Sequence, residues 1–571
     1  MPEPQGKSTF RNPGSDLCGY TKVSAPSFSG PRRIKFLAAA HSYPSSYLRK
    51  RADLALRSQS ESSQRQTSWL AGCILGLILL ALLASCGGGG TVAMAPAPST
   101  ATPLSVADVQ QVVQDAAQSA DAPLVIAVAD RAGKILAVFR NASAPVTSTG
   151  NFGATVDSNE LAVALARTAA LFSNNQAPLS SRTVRFISGI HFPPGVSDAP
   201  NADLYGIENT NRGCPLNTTF IAGQSVDPSR SINGLNPGLG VITGKADVDD
   251  SNPAAVNPGG VPLFKNGFAV GGIGVVSTSP EVAEFAAFSG ASQAGFLPTA
   301  SQLPPPGVVI VGGIALPFVN QTTLPSGIGP GSATGAFVVG PLAGSLPPEG
   351  DLVGPVGGSS GLTQSDVATI ISQAVSTADL TRAVIRLPSG SRTRMTIAVA
   401  DLDGTVLALH RMPDGTVFSI DVAVAKARNV IYFSNPAGTP DLPGVPPGTA
   451  VTNRTISFGA QPLFTPGIDG SAPGPFFNLF LFDVAHPCTQ GSQPANANQS
   501  GVVFFPGSLP LYKNGVLVGG LGVSGDGVDQ DDYVTNAGAK GFEAPNAIRA
   551  DQVEVNGVRL PYQKFPRNPT E

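Results

Sequence analysis

The chain has 571 residues, a formal net charge of −3 and only 13% charged side chains. The first 85 residues carry +7, which leaves −10 for residues 86–571. That acidic balance, with no basic stripe, argues against nucleic acid or an anionic membrane surface as the main partner.

Residues 1–85 read as a leader. Residues 1–64 are rich in Ser, Arg and Pro, without apolar periodicity, and an uncharged run from Trp69 to Ala84 follows. That run falls short of the roughly 20 residues a membrane-crossing helix needs. It ends in Leu83-Ala84-Ser85-Cys86 and Gly87–Gly90, the pattern of a bacterial lipoprotein signal. The expected mature protein is exported and lipid-anchored at Cys86 in the bacterial envelope, with residues 86–102 as a tether; the alternative is an uncleaved anchor helix. The leader is long for a signal peptide, which suggests a start site placed too far upstream.

Beyond the tether the chain repeats itself. Ile126-Ala127-Val128-Ala129-Asp130 returns as Ile397-Ala398-Val399-Ala400-Asp401, and Leu263-Phe264-Lys265-Asn266-Gly267 as Leu511-Tyr512-Lys513-Asn514-Gly515. Internal repetition predicts two homologous domains, at 103–320 and 361–571. Each opens on a helix with a capping box, Ser105 with Asp108 or Thr363 with Asp366. A hairpin follows over 125–139 or 396–410, turning at Ala132-Gly133 or Asp403-Gly404. Next come a helix over 159–172 or 420–433, capped by Asp157 or Ser419, and a strand-like segment, 182–186 or 454–458. Irregular insertions, the Lys-Asn-Gly hairpins and a last element at 313–318 or 557–562 complete each copy. Residues 321–360, dominated by Gly, Pro and Ser, read as a flexible or semi-extended linker. This order indicates an α+β fold and not alternating parallel βαβ units.

The second copy resembles the GlcG/HbpS-like haem-binding family (the DUF336 domain). The resemblance rests on Ala398–Gly404, Arg411-Met412-Pro413-Asp414-Gly415, Ala425-Lys426-Ala427, and Gly519–Gly525 with Asp529–Asp532 after it. It implies tandem profilin-like domains, each a five-stranded antiparallel sheet flanked by helices. It also implies haem or a related tetrapyrrole as cofactor, and a homo-oligomer or an intramolecular pseudo-dimer. The first copy departs from the pattern: Arg140-Asn141-Ala142-Ser143-Ala144 replaces the Arg411 motif, and Leu165 stands where the second copy has Lys426. A retained ligand site is therefore expected in the second copy.

Several side chains are candidates for that site. Among four histidines, His410 is the candidate axial ligand to haem iron, ahead of His191 and His486, with His41 in the leader. Arg411 and Lys426 are candidates to face an anionic ligand, against an arginine capping loop carbonyls and a solvated lysine. Gly520–Gly525 fits a dinucleotide fingerprint, but the antiparallel context lacks the parallel unit that motif needs. The structural alternative is a set of tight turns entering a helix capped by Ser524 or Asp526; backbone N–H groups around Ser524 and Gly525 are candidates for a carboxylate. The Asp526–Asp532 group lacks EF-hand spacing, so capping and solvation are expected there. Cys214 and Cys488 occupy comparable places in the two copies, either as a disulfide or as two separate thiols. No nucleophile elbow or His-Glu-x-x-His motif is present, so a binding protein is expected over an enzyme. The competing functions are an interaction lipoprotein without a small ligand and an enzyme of small hydroxy-acid metabolism.

Overall fold

In the computed structural model the described residues are 100–149, 155–187, 204, 206–207, 257–303, 307–311, 314–465, 471–486, 489–494, 496 and 498–571. The leader, Cys86, nearly all of the tether, His191, Cys214 and Cys488 lie outside them.

The N-terminal half begins with α1 (Val106–Ser119), whose capping box closes in both directions between Ser105 and Asp108. The strands β1 (Val125–Asp130) and β2 (Ile135–Arg140) form the expected hairpin. A two-stranded ribbon comes after it, β3 (Thr147–Thr149) and β4 (Thr155–Asp157). Helix α2 (Ser158–Phe172) is capped by Asp157, which accepts from the backbone of Asn159 and Glu160. Then follow α3 (Ser181–Ile187), β5 (Gly260–Lys265), β6 (Phe268–Val276), α4 (Pro280–Gln293), and the ribbon β7 (Val308–Val311) with β8 (Ile314–Pro317).

Two strands come next, β9 (Ala336–Val339) and β10 (Gly350–Val353), in the stretch expected to be a linker. Far from running free, it supplies the outer strand of each sheet: β9 pairs with β2, and β10 with the later strand β12 (Val406–Arg411).

The C-terminal half repeats the order: α5 (Gln364–Ala378), β11 (Thr396–Ala400), β12, α6 (Phe418–Ser434), α7 (Asn453–Gly459), α8 (Phe477–Ala485), β13 (Ser508–Lys513), β14 (Val516–Ser524), α9 (Val528–Gly538), and the short β15 (Glu554–Val555) with β16 (Val558–Arg559). The two large sheets run β5-β6-β1-β2-β9 and β10-β12-β11-β14-β13, and every pairing in them is antiparallel.

Side-chain bonds recur with the strand order. Arg167 Nε donates to the Gly133 carbonyl as Arg428 Nε does to that of Gly404. Thr183 Oγ1 bonds the Pro317 carbonyl as Thr455 Oγ1 bonds that of Pro561.

Three expectations about local structure change. The segments 182–186 and 454–458 are helical, because Ser180 and Thr452 accept from Thr183 N and Thr455 N and start a helical turn. Ser419 lies inside α6 and bonds Thr416 and Ser524, while α6 begins without a side-chain cap. Neither Ser524 nor Asp526 caps α9, whose N-cap is Gly527.

The glycines at 519, 520 and 522 sit mid-strand in β14, not in turns. A Cβ on Gly520 would run into the Ala427 carbonyl oxygen, and one on Gly522 into that of Ala423, so these glycines let α6 lie close on the sheet. Gly272 and Gly274 meet the Ala166 and Ala162 carbonyls of α2 in the same way. Gly522→Ala should therefore force α6 off β14 and cost about 1–3 kcal/mol in chemical denaturation. An unchanged midpoint would mean the helix can shift freely.

The halves share apolar packing. Phe172 and Phe418 stack at 4.4 Å, and one buried cluster takes in Val128, Phe139 and Ile273 together with Leu409, Phe418 and Ile420.

Candidate functional site

The Arg411 motif sits where β12 leaves its sheet. His410 lies opposite Asp351 of β10, and the cross-strand pairing brings its Nδ1 to 2.7 Å from Asp351 Oδ1. With the carboxylate accepting, Nδ1 carries the proton and Nε2 keeps the lone pair in neutral imidazole. The His410 side chain is 21% exposed.

Arg411, next along the strand, is fully buried. Its Nε and Nη2 donate to the Gly415 carbonyl and its Nη1 to that of Pro348, so it caps loop carbonyls. Burial, reinforced by the nearby Arg131, lowers its pKa to about 9.

Asp414 turns the chain at φ +60° and gathers cations from both halves. Its carboxylate lies 2.6 Å from Arg131 Nη2 of the N-terminal half and 2.6 Å from Arg386 Nη1 of the C-terminal half. Arg386 also binds the fully buried Asp526 through Nε. Burial pushes the Asp414 carboxyl up, but Arg131 and Arg386 outweigh it and hold it below the usual range. For Asp526 burial wins, and its pKa is raised.

Lys426 projects from α6 into the protein and reaches no solvent. Its Nζ donates to the Val523 carbonyl at 2.7 Å and to Asp531 Oδ2 at 3.0 Å, and it sits over the Phe505 ring at 4.8 Å. The solvated alternative for Lys426 therefore fails. Burial lowers its pKa and pushes the Asp531 carboxyl up to about 7. The rest of the acidic group is also paired: Arg454 binds the buried Asp532 and the half-buried Asp529, and Lys564 binds Asp529. Ser524 is buried and bonded to Ser419, while Gly525 is half-buried. Lys426 and Ser524 belong to one buried region; His410 faces outward at the sheet's outer pair of strands.

His486 stacks on Phe482 at 4.1 Å, with its Nδ1 3.0 Å from the Phe482 carbonyl oxygen. Among the described residues no group of three or more His, Cys, Asp or Glu is arranged to hold a metal ion, and no helix is long and apolar enough to cross a membrane.

A cavity of about 380 Å³ opens beside the β11–β12 turn, lined by Asp403, Arg428, Tyr432, Asn435, Gln490 and Asn498 among others. Sequence reading missed it, together with Asp351, Arg131, Arg386 and Arg454. Only Arg454 left a signal, since Arg182 repeats it in the N-terminal half and likewise pairs with a carboxylate, Glu284.

Residues 362–540 match the model of the family described as haem degrading protein HbpS-like. That match spans the His410–Asp414 segment, Lys426 and Asp531. The corrinoid adenosyltransferase PduO of Salmonella typhimurium is 26% identical over 152 residues, 27% of this chain. The aligned stretch covers 33% of that curated relative's length. Similar solved structures include the PduOC complex with haem (22% identity, 32% of this chain and 94% of that one, TM-score 0.21). Others are the Klebsiella pneumoniae DUF336 protein ORFY (20%, 31% and 86%, 0.20) and a double mutant of Streptomyces reticuli HbpS (19%, 32% and 88%, 0.20).

Proposed function

We propose that this protein binds haem or a related tetrapyrrole through its C-terminal half, as an exported lipoprotein anchored at Cys86. The observation that carries the reading is the match of residues 362–540 to the HbpS-like haem degrading family. The two halves, with the same sheet order and shared apolar packing, would be tandem profilin-like domains forming an intramolecular pseudo-dimer. The apolar run before Cys86 supports the anchor.

The residues present fit an axial ligand. His410 has one ring nitrogen held by Asp351, leaves the other for iron, and is half-buried. Bound there, haem would supply its own iron-centred redox chemistry. Arg411, Lys426 and Ser524 are spent on internal bonds, which leaves the Gly525 turn as the polar contact for a propionate or another small acidic ligand.

Titration of the full chain with haemin should give a saturable Soret shift that His410→Ala abolishes. Asp351→Asn should weaken it about tenfold or more, the usual cost of losing an orienting partner. A featureless titration would sink the proposal. It would favour the second reading, an interaction lipoprotein without a small ligand, which the internal pairing of Arg411 and Lys426 supports.

A further inference from the structure

We propose that the cavity walled by Arg428, Tyr432, Asn435, Gln490, Gln493 and Asn498 is a second ligand site, one that takes a small uncharged polyhydroxylated molecule, a mono- or disaccharide. It lies at the opposite end of β12 from His410, five residues and roughly 17 Å along the strand from Thr405. Its ligand is therefore separate from any tetrapyrrole at His410. At about 380 Å³ it falls within the range of small-molecule sites.

The lining sets the class of ligand. Four of the six residues are primary amides, each offering a donor and an acceptor from one planar group, as a sugar hydroxyl does from one oxygen. Leu402, Ile431 and the half-buried Tyr432 add an apolar wall for the C–H face of a sugar ring. Among the described residues the lining has one cation, Arg428, and one carboxylate, Asp403, so no net charge selects an ion.

The wall is also built rather than incidental. Tyr432 is fixed by its hydroxyl donating to Asp441 Oδ2 at 2.5 Å, and the Ser492 backbone N–H donates to the same oxygen at 2.8 Å. Asn498 donates to the Asp403 carbonyl at 3.1 Å, tying the loop to the β11–β12 turn. Arg428 anchors the floor through the Gly404 carbonyl and Ser500 Oγ.

One atom asks for a ligand. Gln490 is 3% exposed, its amide nitrogen reaches the Arg428 carbonyl at 3.5 Å, and its Oε1 is buried without a hydrogen-bond partner. A buried acceptor left unsatisfied costs about 1–3 kcal/mol, and a rotation of the Gln490 amide toward the cavity would let a ligand hydroxyl recover that cost.

The test is saturation-transfer NMR on the full chain with D-glucose, D-galactose, N-acetyl-D-glucosamine and maltose, with sodium acetate as the anionic competitor. At least one sugar should give a saturable signal, unaffected by acetate, that Gln490→Leu abolishes. Asn435→Ala and Gln493→Ala, at exposed and half-buried positions that leave the fold intact, should each weaken it about tenfold. Three results would overturn the proposal: no saturable sugar signal, displacement by acetate, or signals unchanged in both alanine variants. The haemin titration should be the same in all these variants, so failure here and failure at His410 are read separately.

Discussion

Lys426→Ala should lower the stability of the chain by about 3–5 kcal/mol, because it strands the Asp531 carboxylate where no water reaches it. Asp531→Ala should cost a similar amount by stranding the ammonium. The N-terminal half shows how the same position folds without charge. Leu165 stands there for Lys426, and Ala283 holds the place of Asp531, one residue before the Glu284 that pairs with Arg182 as Asp532 pairs with Arg454. The double variant Lys426→Leu, Asp531→Ala should therefore regain most of what either single change loses. Urea denaturation of the four proteins checks this, and additive losses would refute it. The pair also predicts a pH dependence. Asp531 is raised from 3.8 to about 7 by burial, with Lys426 opposing. The folded state then holds a proton that the unfolded chain releases above about pH 4. The stability from this group is full at low pH and is lost as pH rises from about 4 to about 7. Lys426, pushed down by burial, acts in the opposite direction over a window ending at 10.5. Asp526, Asp532 and Arg454 also act on this pair, so the quantity to measure is the difference between wild type and the double variant, which should widen toward pH 4.

Local chemistry made much of the fold legible. The capping boxes at Ser105 and Thr363 need only neighbours three residues away, and both form. The Lys-Asn-Gly turns need only residues that tolerate positive φ, and Asn514 and Gly515 adopt +52° and +78°. Helix α7 was hidden because Arg454-Thr455-Ile456-Ser457-Phe458 alternates like a strand, although Thr452 with Thr455 is a cap pattern that marks it. The sheets' outer strands were hidden for a different reason. Ala336–Val339 and Gly350–Val353 are four-residue runs among Gly and Pro, and only pairing with β2 and β12 makes them strands. Asp351 was lost with them, and with it the partner that orients His410. The pairing of Lys426 with Asp531 joins positions 105 residues apart, and no local pattern announces that a lysine on a helix points inward.

The second large loss should follow Arg386→Met. Arg386 is fully buried and is the shared partner of two carboxylates, Asp526 behind it and Asp414 where the halves meet. Removing it leaves Asp526 without a salt-bridge partner and should cost about 3–5 kcal/mol. Arg131→Met should cost less, about 1.5–3 kcal/mol, because Asp414 keeps Arg386 and is itself 18% exposed. The two arginines meet on one carboxylate, so the double variant should depart from additivity by at least about 0.5 kcal/mol; simple addition would show that Asp414 does not couple the halves. The pH response separates this from general loosening of the core. Asp526 is already raised by burial with Arg386 offsetting part of the rise, so losing the guanidinium lets burial raise it further. A carboxyl with a raised folded pKa is most favourable when protonated, so the Arg386→Met deficit should shrink as pH falls toward 4 and grow toward neutrality. A deficit of constant size across that range would mean that packing around the Arg386 side chain, and not its charge on Asp526 and Asp414, holds this corner of the C-terminal half in place.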